Sequence, residues 1–222
     1  MRMEKKMNNM TKLQLAIDTL SLEEALELLK KVSPYIDIAE VGTPLLYRSG
    51  LEAVRKIREA FPELYILCDG RIMDAGAYES GEQYEAGANC ASVLGVTDDA
   101  TIQACVEEAK KYGTEVSVDT ICISNLPKRI AEIEEMGIDY ISVHTGVDQQ
   151  AKGRTPLDDL REIKACAKKS KISVAGGIHV DTVEEYLAYD PDVVIVGGGI
   201  IGREDPVAAA KAIKEKIDQH NR

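Results

Sequence analysis

Seven charged side chains in this sequence have the types needed for proton transfer, cation binding and charge stabilisation, and each lies at or just past the end of a short apolar run. They are Asp18, Glu40, Asp69, Arg71, Asp74, Asp119 and His144. Asp18, Glu40 and Asp69 follow the first three runs and offer the hard oxygen ligands that Mg²⁺ takes while keeping waters for a substrate to displace. Glu40 and Asp69 are the expected metal pair. His144 has the side chain best suited to moving a proton near neutral pH. Arg71 sits between Asp69 and Asp74 as a permanent positive charge that can steady a developing anion. Two glycine loops, Gly176-Gly177 and Gly197-Gly198-Gly199, let backbone approach a phosphate closely, so backbone dipoles rather than side-chain cations are expected to hold it. Each feature also has a plainer reading, as a helix cap, a satisfied core histidine or an ordinary turn. Their common position at strand ends favours the chemical one. His179 is expected to be peripheral and His220 solvent-exposed.

The elements that must position these groups alternate along the whole chain. Strand-like runs over 13–17, 36–41, 64–68, 91–94, 116–118, 140–143, 172–175 and 193–196 are separated by helix-like segments over 21–31, 51–60, 75–86, 98–112, 126–136, 156–168 and 183–188, with a last one over 206–217. Ser21 with Glu24 three residues on is a capping-box signal, and Gly87 and Gly137 stop the helices before them. Eight βα units with Val/Ile/Leu-rich strands predict an α/β fold, a single (β/α)8 TIM barrel over 12–222. Residues 1–11 read as a disordered leader. In such a barrel the C-terminal strand ends share one face, so the seven charged groups and the two glycine loops converge.

Composition narrows the class. A net charge of −11 leaves no basic stripe to displace counterions from nucleic acid. No apolar run reaches the ~20 residues needed to span a bilayer, and the N-terminus lacks the core of a signal peptide. Five scattered cysteines without a CxxC pair suggest neither a disulfide framework nor zinc. A cytoplasmic protein acting on a phosphorylated small molecule, with no nucleic-acid or membrane partner, is the expectation.

The residues also carry a family resemblance. Leu13-Gln14-Leu15-Ala16-Ile17-Asp18, Glu40-Val41-Gly42-Thr43-Pro44, Asp69 to Asp74, His144-Thr145-Gly146 with Asp148-Gln149-Gln150-Ala151, Ala175-Gly176-Gly177-Ile178 and Val194-Ile195-Val196-Gly197-Gly198 together resemble the 3-hexulose-6-phosphate synthases of the orotidine-5′-monophosphate decarboxylase superfamily. That superfamily's hallmark is Asp-x-Lys-x-x-Asp after the third strand. The resemblance implies a Mg²⁺-dependent aldol condensation of formaldehyde with D-ribulose 5-phosphate, giving D-arabino-hex-3-ulose 6-phosphate through an enediolate. It also implies a homodimer whose shared site draws Asp74 from the neighbouring subunit. Within that frame His144, Arg71, Asp69 and Asp74 are the catalytic set. Asp18 and Asp119 are expected to orient substrate hydroxyls, and Gly176, Gly177, Gly197 and Gly198 to bind the phosphate. The chain departs from the hallmark at Arg71, which replaces lysine, and at Gly70, which replaces a larger residue and is expected to make room for the guanidinium. The alternatives are 3-keto-L-gulonate 6-phosphate decarboxylase, on the same fold, and a non-catalytic phosphosugar-binding barrel.

Overall fold

The first βα unit shows how local sequence sets local structure. In β1 (Lys12–Ile17), Leu13, Leu15 and Ile17 are fully buried on one face. Ser21 then caps α1 (Leu22–Val32): its hydroxyl accepts from the Glu24 amide, and the Glu24 carboxylate accepts from the Ser21 amide. The expected capping box is present. The chain continues through β2 (Ile38–Val41), α2 (Thr43–Ser49), α3 (Glu52–Ala60), β3 (Tyr65–Ile72), α4 (Gly76–Glu85), β4 (Cys90–Leu94), α5 (Asp99–Tyr112), β5 (Glu115–Asp119) and α6 (Leu126–Glu135). It closes with β6 (Tyr140–His144), α7 (Val147–Gln150), α8 (Pro156–Cys166), β7 (Lys171–Ala175), α9 (Val183–Leu187), β8 (Val193–Val196), α10 (Gly198–Ile201) and α11 (Pro206–His220). The computed structural model describes residues 10–153 and 155–222, so most of the expected leader lies outside the described residues. Thr11, assigned to that leader, belongs to the barrel. It is buried, donates its hydroxyl to the Pro191 carbonyl and exchanges hydrogen bonds with Asn221.

The eight strands are all parallel, each paired with its sequence neighbour, and β1 pairs β8 to close the barrel. The two-residue period of a strand sends alternate side chains to the helices and to the barrel interior. Outward residues such as Ile66, Val93, Val118, Val143 and Val174 join the large apolar layer beneath the helices. The interior is less apolar than the sequence reading implies: it contains a small cluster built from Ala16, Ile38, Leu67, Cys90, Tyr140, Val193 and Ile195. Buried Gln14, Ser92, Ser117 and Ser173 are interspersed with it. At the C-terminal ends of the inward rows come Asp18, Asp69, Asp119 and His144. At the opposite end, Glu115 accepts from Tyr65 and from Lys171 (2.9 Å), and the Lys171 ammonium lies 4.6 Å from the Tyr140 ring centre. This polar plug closes the bottom of the barrel.

A second regularity divides the barrel into quarters. Asp37, Asn89, Asp139 and Asp192 each directly precede an even-numbered strand. Their side chains accept from the amides of Leu13, Ile66, Val116 and Ile172, the second residue of the odd strand before. Their own amides donate to the carbonyls of those same four residues. Each βαβ crossover is thereby locked in register at its N-terminal end.

The structure departs from the sequence reading at four loops. The turn expected at Gly42-Thr43-Pro44 opens α2, with Pro44 in its first turn where a missing amide costs nothing. β3 does not stop at Cys68 but runs to Ile72, with a register shift against β4 between Cys68 and Ile72. The segments after β6 and β8 form the one-turn helices α7 and α10.

Candidate active site

The C-terminal ends of the strands surround a cavity of about 520 Å³. It brings together Asp18, Glu40, Asp69, Arg71, Asp119, His144, Gly176, Gly177, Gly197 and Gly198. Asp74 stands apart: it is exposed, and its carboxylate accepts from its own neighbour's amide at Ala75.

Asp69 is the most heavily bonded carboxylate of the site. Its Oδ1 accepts from the Ser92 hydroxyl (2.7 Å), and its Oδ2 accepts from Arg71 Nε (3.0 Å) and contacts the Thr43 hydroxyl (2.9 Å). The bulged end of β3 makes this possible. Arg71 adopts φ 49°, a left-handed conformation that bulky residues rarely take, which folds its side chain back on Asp69 two residues earlier. Ser92 holds the bulge by accepting from the Arg71 amide (2.9 Å). Gly70 has a different reason from the one expected. A Cβ there would stand 2.3 Å from Gln83 Nε2, so the glycine accommodates α4 rather than the guanidinium.

Glu40 is 9% exposed and accepts from Gln14 Nε2 at 2.7 Å. Burial, and then the charge of Asp69, push its carboxyl well above the usual range. Asp18 is raised by the same two causes in the same order. Two carboxylates held against their preferred ionisation beside a third form a site that gains from a cation. Among the described residues no group of three or more His, Cys, Asp or Glu side chains forms a closed metal cage. Glu40 and Asp69, on the adjacent strands β2 and β3, remain as a pair of hard oxygen donors. That matches an ion that takes few protein ligands and completes its shell with water and substrate.

On the far side of the mouth, His144 Nδ1 lies 2.8 Å from Asp119 Oδ2. A carboxylate can only accept, so the proton sits on Nδ1 and Nε2 is left as the basic nitrogen. Burial lowers the imidazole's proton affinity, but the hydrogen bond and charge of Asp119 outweigh it and the pKa is raised. Asp119 Oδ1 accepts from the Ile121 amide (2.8 Å). Asp119 is thus fixed from behind by that amide, faces the imidazole and lines the cavity.

Glycine is required at particular points. Gly176 (φ 124°) and Gly177 (φ 68°) hold conformations that side chains disfavour, and a Cβ on Gly199 would stand 2.1 Å from the Ile178 carbonyl. Gly198 has nothing within 4 Å of such a Cβ and is free of both constraints. Gly42 leaves room for its neighbour in the site, since a Cβ there would fall 2.0 Å from Asp18 Oδ1. Three further lining side chains extend the set of expected site residues. Arg203 also lines the cavity, so backbone dipoles are not the sole attraction for an anion there. His179, expected at the periphery, is a lining residue too. Gln150 lines the cavity from the end of α7, after β6. Gln150 lies six residues beyond His144 inside the motif already singled out, and His179 directly follows the Gly176-Gly177-Ile178 run, whereas Arg203 lies on a loop without periodicity.

Residues 11–213 match the family model described as orotidine 5′-phosphate decarboxylase / HUMPS family. The chain is 50% identical over 206 residues to 3-hexulose-6-phosphate synthase of Staphylococcus epidermidis, spanning 93% of this chain and 98% of the relative. Among solved structures, 3-hexulose-6-phosphate synthase from Salmonella typhimurium superposes with TM-score 0.93 at 48% identity, covering 95% of this chain and 100% of the other. A ligand complex of KGPDC from Streptococcus mutans gives TM-score 0.87 at 25% identity, covering 94% and 98%.

Proposed function

The chain belongs to the orotidine 5′-phosphate decarboxylase / HUMPS family and is an aldehyde-lyase of the 3-hexulose-6-phosphate synthase type, and from that premise we propose that it condenses formaldehyde with D-ribulose 5-phosphate to give D-arabino-hex-3-ulose 6-phosphate. The observation that carries this reading is the His144–Asp119 pair in one cavity with Glu40, Asp69 and Arg71. An aldol donor must lose a proton from the carbon beside its carbonyl. It therefore needs a base at that carbon and positive charge near the oxygen that gains electrons.

His144 Nε2 takes the C1 proton, and the C–H electron pair becomes the C1–C2 double bond while the C2 oxygen gains charge. Asp119 holds the ring and stabilises the imidazolium that results. Arg71, anchored on Asp69, stabilises the enediolate by its fixed charge, a role that needs no titration and is typically worth ~3 kcal/mol. C1 then attacks the formaldehyde carbon, forming the new carbon–carbon bond, and the formaldehyde oxygen takes a proton from the His144 imidazolium. Asp18 and Asp119, which both line the cavity, are assigned to the substrate hydroxyls. The backbone of Gly176, Gly177, Gly197 and Gly198, with Arg203, is assigned to the phosphate. Mg²⁺ held by Glu40 and Asp69 would supply further positive charge to the C2 oxygen.

Asp74 is assigned to the site of a second copy of this chain. Its exposure, with exposed Met73 and Tyr78 near it, supports a homodimer that covers this edge. A cytoplasmic location is supported by cysteines that are all free. No helix of the described residues is long and apolar enough to cross a membrane. The decarboxylase reading has less support, at 25% identity to a KGPDC structure against 48% to a synthase. Formaldehyde-dependent loss of ribulose 5-phosphate, with and without Mg²⁺, tests the proposal. Turnover that needs Mg²⁺ and falls about a hundredfold in Arg71→Ala is the expected result. Release of CO₂ from 3-keto-L-gulonate 6-phosphate without formaldehyde fixation would move the assignment to the decarboxylase, and binding without turnover to a non-catalytic barrel.

A further inference from the structure

Gln150 occupies a position that the reaction scheme leaves unused. Its Nε2 donates to the Thr145 carbonyl at 2.7 Å, directly after the histidine at the end of β6. The same carboxamide lies against the turn after β7: a Cβ on Gly176 would stand 3.1 Å from Gln150 Nε2, and one on Gly177 would stand 3.2 Å from Gln150 Oε1. The Thr145 carbonyl reaches the same point, 3.3 Å from the Gly176 position. One planar amide thus fills the space that side chains at 176 and 177 would take, and both glycines hold left-handed conformations beneath it. Its backbone is fixed as well, with the Gln150 amide on the Gly146 carbonyl and the Gln150 carbonyl accepting from Gly153. Gln150 also lines the cavity.

We propose that Gln150 is a positioning residue that ties the glycine turn after β7 to the strand end carrying His144, so that substrate anchored through its phosphate presents C1 to the base. The inference rests on the proposed phosphosugar reading of the site. Backbone in a left-handed turn has few internal restraints of its own, so the set of the phosphate-binding backbone depends on what packs against it. A flat neutral amide meets both needs: its donor holds the Thr145 carbonyl, and its opposite edge covers the turn without adding a charge that would repel an anion.

The test is calorimetric binding of D-ribulose 5-phosphate and of inorganic phosphate to the parent, Gln150→Ala and Gln150→Glu proteins, with thermal melting of each. Hydrogen exchange at C1 is followed for D-ribulose 5-phosphate and for D-ribulose. Gln150→Ala should bind both phosphate-bearing ligands about tenfold more weakly, as expected for a lost hydrogen bond and its packing. Its C1 exchange should fall at saturating ribulose 5-phosphate but not with unphosphorylated ribulose, a split that general loosening of the fold would not produce. Gln150→Glu keeps the shape, replaces the donor with an anion, and should lose more affinity for phosphate than Gln150→Ala does. Unchanged phosphate affinity in both variants, or equal losses for phosphorylated and unphosphorylated substrate, would overturn the inference while leaving the reaction assignment standing. Absence of ribulose 5-phosphate binding by the parent itself would overturn the reaction assignment and this inference with it.

Discussion

At the scale of single residues, the site is a balance between carboxylates that burial disfavours and the few groups that relieve them. Glu40 and Asp18 are pushed up by desolvation and by Asp69, whereas Asp119 uses its charge on an imidazole whose proton affinity it raises. The sign of that last effect makes a kinetic prediction. A base must be neutral to accept a proton, so a raised His144 pKa moves the acid limb of the C1-exchange profile to higher pH than an isolated histidine would show. Asp119→Asn removes the charge and should shift that limb to lower pH, while lowering the plateau rate because the ring loses its anchor. A pH–rate profile of deuterium exchange into ribulose 5-phosphate measures both; an acid limb that stays put in Asp119→Asn would show that another group is the base.

Among the elements, the strands owe their registration to side chains outside the site. The four Asx residues before the even strands each satisfy an amide of the preceding odd strand, at 2.7 to 2.9 Å. These amides lie at the strand entrance, where no ladder partner reaches them, and an unpaired buried amide costs ~1–3 kcal/mol. Asp139→Ala should therefore lower stability by about that amount, as should Asp192→Ala, and the two should add because they serve different quarters of the barrel. Chemical denaturation of the single and double variants checks this, with C1 exchange unaffected at temperatures where both remain folded. Strong coupling between the two would mean that the quarters do not act independently. The same logic explains Glu134, which is 5% exposed on α6 and accepts from the amides of Lys168, Lys169 and Ser170 in the loop before β7.

For the whole molecule, the separation of Asp74 from the cavity matters most. Every other expected charged group reaches the barrel mouth of its own chain, and Asp74 stands outside it with exposed Met73 and Tyr78 close by in the sequence. If Asp74 completes the site of a second copy, two inactive variants can repair each other. Mixed dimers of Asp74→Ala and His144→Ala carry one site with both residues intact, so unfolding and refolding an equal mixture should restore about one quarter of parental activity. Activity no greater than that of the separate variants would place Asp74 outside the shared site. Light scattering of the parent should report a dimer, as the resemblance implies.

What the sequence alone determined is whatever depends on local order along the chain. Apolar runs ending in Asp, Glu or His place those side chains on the inward rows at one end of a barrel, because successive side chains of a strand point to opposite faces. That made the eight strands and most of the charged lining residues legible, along with the capping box at Ser21 and the glycine stops at Gly87 and Gly137. The tertiary structure decided the pairings. That Asp119 serves His144, that Gly70 yields to Gln83, that Gln150 covers Gly176 and Gly177, and that Arg203 reaches the cavity all depend on distances between segments far apart in the chain. Those distances are fixed only when the interstrand register closes the barrel, and no local pattern encodes them.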